Sequence, residues 1–295
     1  MRIIFDVIRD GLASINTANR DLSIAQRQLA SGKRVAGAGD DPLAVQQAIG
    51  ERAAIGAIDA YKRTSESAAS QLAAADAVLA GLSDKLTAAS VAAMSARGAH
   101  VNDASRLAAA ERVRSLRDAI AADINTTFRG VSLFAGTNVD QPAWAQVGGV
   151  WTYQGNGATS RVEVERGRTV AITFDGGAIL QGSDATDVLT ELTALADAIE
   201  AGDGAGIDAG AAAVERTFAR TQRAIGSLGA DEQGIDEAAI RLASLRHAAE
   251  VRRGALEDAN MAEAATRLTQ AETAYRAALG AVSTAERQSL LDYLR

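Results

Sequence analysis

The feature that most constrains the fold of this chain is a seven-residue repeat of apolar side chains at each of its two ends. Near the amino terminus, large apolar residues recur at Ile8, Ile15, Leu22 and Leu29. The flanking row holds Ile4, Ala18 and Ala25, and Gly11 is its one gap. A heptad of this kind predicts an amphipathic helix that packs against a partner helix.

A matching repeat lies at the other end of the chain. One row holds Met261, Leu268, Tyr275 and Val282, and the parallel row holds Ala264, Ala271, Ala278 and Ala285. Because large residues on one row face alanines on the other, we predict that the first and last helices pack closely as a coiled coil over residues 1–35 and 260–295. The predicted assembly interface consists of Ile8, Ile15, Leu22, Leu29, Leu268, Tyr275, Val282 and Leu290.

Between these ends the composition favours long helices. Hydrophobic residues make up 47% of the chain but aromatic residues only 4%, because nearly half of the apolar total is alanine, the best helix former. Gly32 is predicted to end the first helix, and Asp41–Pro42 to begin the second with a capping side chain followed by proline. A further break is expected at residues 98–103, where Asn102 or Asp103 caps the next helix.

The second half of the chain also reads as helical. Helix is expected to return at Ser183–Asp184 and to pass a flexible segment of glycine, alanine and aspartate at 201–213. The last helix is predicted to begin after Ser227–Ala230 and to run almost to the end of the chain. A long-helix domain is therefore predicted over residues 36–135 and 183–259.

A stretch rich in glycine and aromatic residues predicts a small β-rich outer domain over residues 136–182. Alternation with period two predicts strands at 150–153, 161–165 and 169–174. We favour a core role for the aromatic side chains over a stacking platform for sugars or bases, and we expect the module to be self-contained. The predicted fold class is mainly α, with long antiparallel helices, coiled-coil pairing of the two ends and this inserted β-rich domain.

The residue inventory argues against catalysis. A formal charge of −7 without a basic patch disfavours nucleic acid and anionic membranes as partners. Cysteine is absent, and His100 and His247 lack further ligands at a compatible spacing. Gly204–Ala209 resembles a dinucleotide-binding turn but follows a helix rather than a strand. The carboxylates between Asp175 and Glu237 are expected to form a solvated acidic face, none of them in an apolar setting. We predict no enzyme activity, no metal and no cofactor.

Neither a membrane span nor a classical signal peptide is predicted. No stretch approaches the roughly 18 apolar residues of a span. Acids at Asp6 and Asp10 interrupt the amino-terminal segment, which therefore lacks a continuous apolar region.

Specific motifs resemble those of the bacterial flagellin family. Ser31–Val35, followed by Asp40–Pro42 at the start of the next helix, is similar to the turn found in flagellins and their hook-associated relatives. Flagellins usually have an alanine where Pro42 stands.

Other segments resemble the hook-filament junction members of that family in particular. Phe128–Gly130 with Leu133–Gly136 is similar to the segment where the helical domain of junction proteins enters the outer domain. The blocks 256–264 and 289–294 look more like a junction protein than filament flagellin.

The resemblance implies a structural adaptor, in the form of a homo-oligomeric ring that links another hook-associated protein to flagellin. It also implies an export chaperone as a partner, an extracellular location in the flagellum, and export by the flagellar type III route without a cleaved signal peptide. Two alternatives stay open. One is filament flagellin, and the other is a cytoplasmic helical signalling hairpin of the chemoreceptor type, against which the inserted strands argue.

Overall fold

The computed structural model describes residues 2–98 and 102–293, with side chains described from residue 9 to residue 284 within those ranges. His100 lies outside the described residues. The helices are α1 (Arg2–Ser31), α2 (Pro42–Ala96), α3 (Asp103–Ile124), α4 (Gly176–Leu180), α5 (Val188–Ala201), α6 (Gly204–Glu257) and α7 (Met261–Tyr293). The strands are β1 (Thr127–Phe128), β2 (Val131–Ser132), β3 (Trp144–Val147), β4 (Val150–Tyr153), β5 (Arg161–Glu165) and β6 (Arg168–Ala171). The prediction of a mainly α fold with long helices is confirmed.

The chain divides into two compact units. The terminal unit contains Met1–Ile58 and Ser244–Arg295, and the central unit contains Asp59–Ala243. Both boundaries fall inside long helices, α2 and α6. The terminal unit is therefore larger than the coiled-coil segments predicted at 1–35 and 260–295. The division into three separately folding parts stays a prediction.

Three helix ends lie where the capping residues in the sequence predict them. Gly32 follows the last residue of α1 with a φ of +68°, a left-handed conformation that glycine adopts without strain. The Asp41 carboxylate accepts the Ala44 backbone N–H at 3.0 Å at the start of α2. Asn102 caps α3 by accepting the Ser105 N–H at 2.8 Å. Each of these caps satisfies a backbone donor or acceptor that a helix end leaves unpaired.

The predicted start of the last helix after Ser227–Ala230 is wrong, because α6 runs unbroken from Gly204 to Glu257. The flexible segment predicted at 201–213 is reduced to a break at residues 202–203, where Gly202, with a φ of +69°, ends α5, and residues 204–213 are helical. The glycines that follow allow close packing. A Cβ at Gly206 would lie 2.7 Å from the Ala198 Cβ, and one at Gly210 would lie 2.8 Å from the Leu195 Cβ. The break before the last helix lies instead at residues 258–260, between α6 and α7.

The β region consists of three two-stranded antiparallel hairpins, β1–β2, β3–β4 and β5–β6. Strand β3 was not predicted, and it pairs with β4 with Trp144 opposite Tyr153. The strand predicted at 169–174 is β6, which ends at Ala171. The short helix α4 then begins at Gly176, with Asp175 as its N-cap.

These hairpins share one core with the helices of the central unit. Trp144 is only 2% exposed and lies in the same cluster of buried side chains as Leu72, Ile120 and Leu192. The Asn125 amide at the end of α3 bonds both the backbone N–H and the carbonyl of Trp144, each at 2.8 Å. Two-stranded hairpins bury little by themselves. The expectation of a self-contained core is therefore wrong.

Helix α2 is an exception to the expectation that no segment is apolar enough to cross a membrane. By length and composition it qualifies, with an 18-residue window of mean hydropathy 1.2, of which 33% is buried in the fold. Its sequence is rich in alanine. Core helices of proteins outside membranes pass the same test, so this window alone assigns no membrane role.

Candidate assembly interface

The first and last helices, α1 and α7, pack side by side in opposite directions in the terminal unit. Near the outer end, Gly11 approaches Val282 so closely that a Cβ at Gly11 would lie 2.6 Å from the valine Cγ2. At the other end, the Ala259 N–H donates to the Gly32 carbonyl at 2.9 Å. The gap in the amino-terminal heptad is thus a point of close contact between the helices.

The burial along this pair differs between small and large residues. The buried positions of the two helices, among the side chains described, are alanines: Ala18, Ala25 and Ala264. The large residues of the predicted interface are only partly buried: Ile15, Leu22, Leu29, Leu268, Tyr275 and Val282. Ile8 and Leu290 have side chains outside the described set. The pair therefore closes on its alanines and leaves its bulky apolar side chains partly in contact with water.

Further apolar residues on the same helices are exposed and were missed from the sequence. Leu12 on α1 is 53% exposed, and Leu279 on α7 is 43% exposed. Neither residue lies on a heptad row. A large apolar residue outside the rows of an amphipathic helix is the sequence signal that could have indicated this exposed apolar surface. A groove of about 370 Å³ also opens between α1 and α7, lined by Ile24, Ala25, Ala271 and Ala274 together with polar side chains. The packed pair retains apolar surface that another chain could cover.

The base of the pair is held by a compact joint, which we define as residues 32–41 with 256–260. The Arg34 N–H donates to the Glu257 carbonyl at 2.7 Å. The Lys33 ammonium lies 2.5 Å from the Asp258 carboxylate and 3.4 Å from that of Glu257. Arg52 reaches the other oxygen of the buried Glu257 carboxylate at 2.7 Å. The hydrogen bond that Lys33 donates to the Asp258 carboxylate is the main reason that the pKa of Lys33 is raised.

The aspartates of the motif Asp40–Pro42 shape the turn between α1 and α2. The Asp40 carboxylate accepts the backbone N–H groups of Ala36 and Gly37, at 3.0 and 3.1 Å. These bonds lower the pKa of Asp40. The pKa of Asp41 is also lowered, first by the Ala44 N–H and then by Arg34, which lies 3.2 Å away. The motif that resembles the flagellin turn thus has a structural role in fixing the joint.

A second ion pair ties α2 to α6 within the terminal unit. Arg252 donates to both oxygens of Glu51, at 2.8 and 3.0 Å. This bidentate bond lowers the pKa of Glu51. The partners of this pair, like those of Lys33, are about two hundred residues apart in sequence, and no local signal points to them.

The described residues offer no arrangement for metal chemistry: they contain no group of three or more His, Asp or Glu side chains placed to hold an ion. His247 is exposed, and the neighbouring Arg246 pairs with Glu250 at 2.7 Å. Gly204–Ala209 forms the first turns of α6. One expectation about the carboxylates is wrong: burial, Asp76 and Asp236 raise the pKa of Glu232.

Family models match both halves of the interface. The bacterial flagellin N-terminal helical region matches residues 10–139, and the bacterial flagellin C-terminal helical region matches residues 211–294. Together they span well over half of the chain. No curated relative matches the sequence.

Several solved structures have a similar fold. One described as a flagellar hook-associated protein from Vibrio parahaemolyticus is 22% identical, with a TM-score of 0.71 over 74% of this chain and 99% of that one. FlgL from Xanthomonas campestris is 16% identical, with a TM-score of 0.62 over 68% of this chain and 98% of that one. The flagellar junction protein FlgL from Legionella pneumophila is 9% identical, with a TM-score of 0.55 over 63% and 98%. These likenesses show a shared fold.

These features define a class of helical subunit: the two ends of the chain form one helix pair, a joint holds the base of that pair, and hairpins are inserted between the ends. The chain belongs to the bacterial flagellin family.

Proposed function

We propose that this chain is a structural subunit of the bacterial flagellum that joins the hook to the filament. The observation that carries the proposal is the α1–α7 pair, whose buried residues, among the side chains described, are alanines while its large apolar residues keep exposed surface. Such a pair buries little area and gains stability when neighbouring subunits cover the rest. Membership in the flagellin family supports a place in the flagellum.

The choice of the junction over the filament is supported by the solved structures of similar fold. These include FlgL proteins, one of them described as a flagellar junction protein. Filament flagellin is the second candidate, supported by the two family models, and it is less favoured. A cytoplasmic signalling hairpin has no support from the family models.

In this proposal the role is assembly, without catalysis or a cofactor. Copies of the chain form a ring that contacts a neighbouring hook-associated protein on one side and flagellin on the other, and an export chaperone keeps the chain competent for secretion. The subunit is extracellular, exported by the flagellar type III route without a cleaved signal peptide. The proposed assembly interface comprises Ile8, Ile15, Leu22, Leu29, Leu268, Tyr275, Val282 and Leu290, to which the structure leads us to add Leu12 and Leu279.

The experiment that tests this proposal locates the protein on isolated flagella. We expect an epitope-tagged copy, detected by immunogold labelling, to mark one short zone at the boundary of hook and filament. Cells that lack the gene should carry hooks without filaments and release flagellin into the medium, and the wild-type gene should restore filaments. Label along the whole shaft would instead identify a filament flagellin, and label confined to the cytoplasm would favour the signalling hairpin.

A further inference from the structure

A cavity of about 590 Å³ in the central unit carries an excess of positive charge. It lies beside α6, and the side chains of Arg216, Arg220 and Arg223 line it together with the loop that follows α4. Asp184 is the one carboxylate among its lining residues. In a chain with a formal charge of −7, three guanidinium groups around one carboxylate form an unusual local surplus of cations.

Two of these arginines have unused donors. Arg220 is committed to the fold, because it donates to the carbonyls of Ile179 and Leu180, at 3.0 and 3.3 Å, and to Asp184 at 2.8 Å. Arg216 uses only its Nε, which bonds Asp184 at 3.2 Å, and Arg223 uses only its Nε, which bonds a backbone carbonyl. The terminal nitrogens of Arg216 and Arg223 make no hydrogen bond within the described part of the chain, so they can receive carboxylates from outside.

A surplus of negative charge lies farther along the same helix. Glu232 and Asp236 are four residues apart on α6, and Asp76 on α2 is close enough to raise the pKa of Glu232 after the larger effect of burial. None of the three carboxylates forms an ion pair with a side chain described between residues 9 and 284. Like charges at this spacing repel one another.

The two clusters lie on opposite flanks of α6. At 3.6 residues per turn, the sixteen residues from Arg216 to Glu232 turn the helix by about 160°, and the centres of the two clusters lie about 20 Å apart along its axis. One chain therefore cannot bring them together. A two-fold symmetric contact buries the same face of both copies and cannot cover both flanks at once, whereas a head-to-tail contact pairs one flank with the other.

We propose that adjacent copies of this chain pack side by side with the Arg216–Arg223 pocket of one copy against the Asp76, Glu232 and Asp236 carboxylates of the next. The contact is heterologous and offsets neighbouring α6 helices by about 20 Å along their length, which fits a closed ring when α6 is inclined to the ring axis. Such a contact repeats from copy to copy, and each repetition relieves both charge surpluses. The inference rests on the proposed function, because it requires copies arranged side by side.

Disulfide cross-linking tests the contact directly, because the native chain contains no cysteine. In one chain Arg223 and Asp236 are thirteen positions apart on α6, which separates their Cα atoms by about 20 Å, far beyond the roughly 7 Å limit of a disulfide. The double variant Arg223→Cys with Asp236→Cys, oxidised on isolated flagella, should therefore give a ladder of covalent oligomers longer than dimers. Each single variant should give monomers. The matched control pairs Arg223→Cys with Ala230→Cys, which is exposed and lies about 160° around the helix from Glu232, on the flank of the arginines, and this pair should give no ladder.

Charge reversal provides a second test. Arg216→Glu with Arg223→Glu, or Glu232→Lys with Asp236→Lys, should each weaken incorporation into flagella about tenfold or more, because like charges then meet. The chain that carries all four reversals should recover most of the lost incorporation. Glu232→Gln separates assembly from folding: it should raise the melting temperature of the monomer by removing repulsion, while it weakens incorporation.

The outcomes distinguish this contact from the proposed function. If labelled protein lies at the hook-filament boundary but the double variant gives no ladder, or if the charge reversals have no effect, the contact is wrong and the junction role stands. Strong dimers from a single-cysteine variant would indicate a symmetric contact and would also overturn it. Absence of the protein from flagella would overturn the function itself, and this inference with it.

Discussion

Three aspartate substitutions on α1 separate the stability of the helix pair from the ability to assemble. Ala25 is 3% exposed against α7, Leu22 is partly buried, and Leu12 is 53% exposed on the same helix. We predict that the loss of stability in the isolated chain follows this order, with Ala25→Asp the most severe and Leu12→Asp almost silent. All three should block assembly.

The magnitudes follow from the burial of each side chain. Ala25→Asp places a carboxylate at a position that is 3% exposed, beside the groove between α1 and α7, which costs several kcal/mol unless the helices separate. Leu22→Asp loses most of the value of a buried leucine, about 1–2 kcal/mol, while its carboxylate still reaches water. Leu12→Asp changes a side chain that is half exposed, so the free energy of unfolding of the isolated chain should change by about 0.5 kcal/mol or less. In the assembled ring the same carboxylate would be covered by a neighbour, and the cost of several kcal/mol would recur at every contact.

The assay combines thermal unfolding of the purified chains with complementation of cells that lack the gene. Circular dichroism gives the melting temperature, and amide hydrogen exchange localises any loss of protection to α1 and α7. Motility and the count of filaments per cell report assembly. Gln26→Asp is the matched control, because it adds the same charge at an exposed polar position of α1.

Two results would refute this reasoning. Normal filaments in cells that carry Leu12→Asp would mean that the exposed surface of α1 stays in water after assembly. A large fall in the melting temperature of purified Leu12→Asp would mean that the residue is already packed in the single chain.

Three further predictions concern the packing of the described residues. Trp144→Ala should destabilise the central unit by about 3–5 kcal/mol and lower the melting of its helices as well as its hairpins, whereas Trp151→Ala, at a partly exposed position, should cost less in the same melting experiment. Gly11→Ala should cost about 1–3 kcal/mol by overpacking against Val282, and the double variant with Val282→Ala should recover most of this in a double-mutant cycle. Finally, the pKa values of Asp41 and Glu51 are lowered in the folded chain. The stability that these carboxylates contribute is therefore present above the ordinary carboxyl pKa of about 4 and is lost as the pH falls through their folded pKa values. The melting temperature should fall below about pH 4, and this fall should be shallower in Asp41→Asn.

The ends of helices were predictable where a side chain acts on its own neighbourhood. Gly32 and the caps Asp41 and Asn102 act through a left-handed glycine or through a hydrogen bond to a backbone group three residues away. No distant partner is needed to position them, so the sequence holds the whole of the physical cause. The same reasoning accounts for the correct start of α2 at Pro42.

Local reasoning failed where packing decides the role of a residue. Gly206 and Gly210 are helix-weakening residues in isolation and therefore predict a flexible linker. In the fold they give α5 room to approach α6, and the burial of Leu195 and Ala198 against them outweighs their low propensity. Trp144 was similarly read as part of a local core, whereas its partners include side chains from helices far away in the sequence.

At the assembly interface, too, the sequence predicts the pairing of the helices but not the details of their packing. The heptads predict that the two ends pair, because a period of seven on both helices requires a partner, but they do not say which row closes against it. Alanine rows permit the closest approach of the two backbones, so the pair settles on Ala18, Ala25 and Ala264 and turns part of each large side chain outward. A helix pair selected only for its own stability would bury its leucines completely. Large apolar side chains that stay partly exposed beside a seam closed by alanines are expected of a subunit whose terminal helices are stabilised by the next copy.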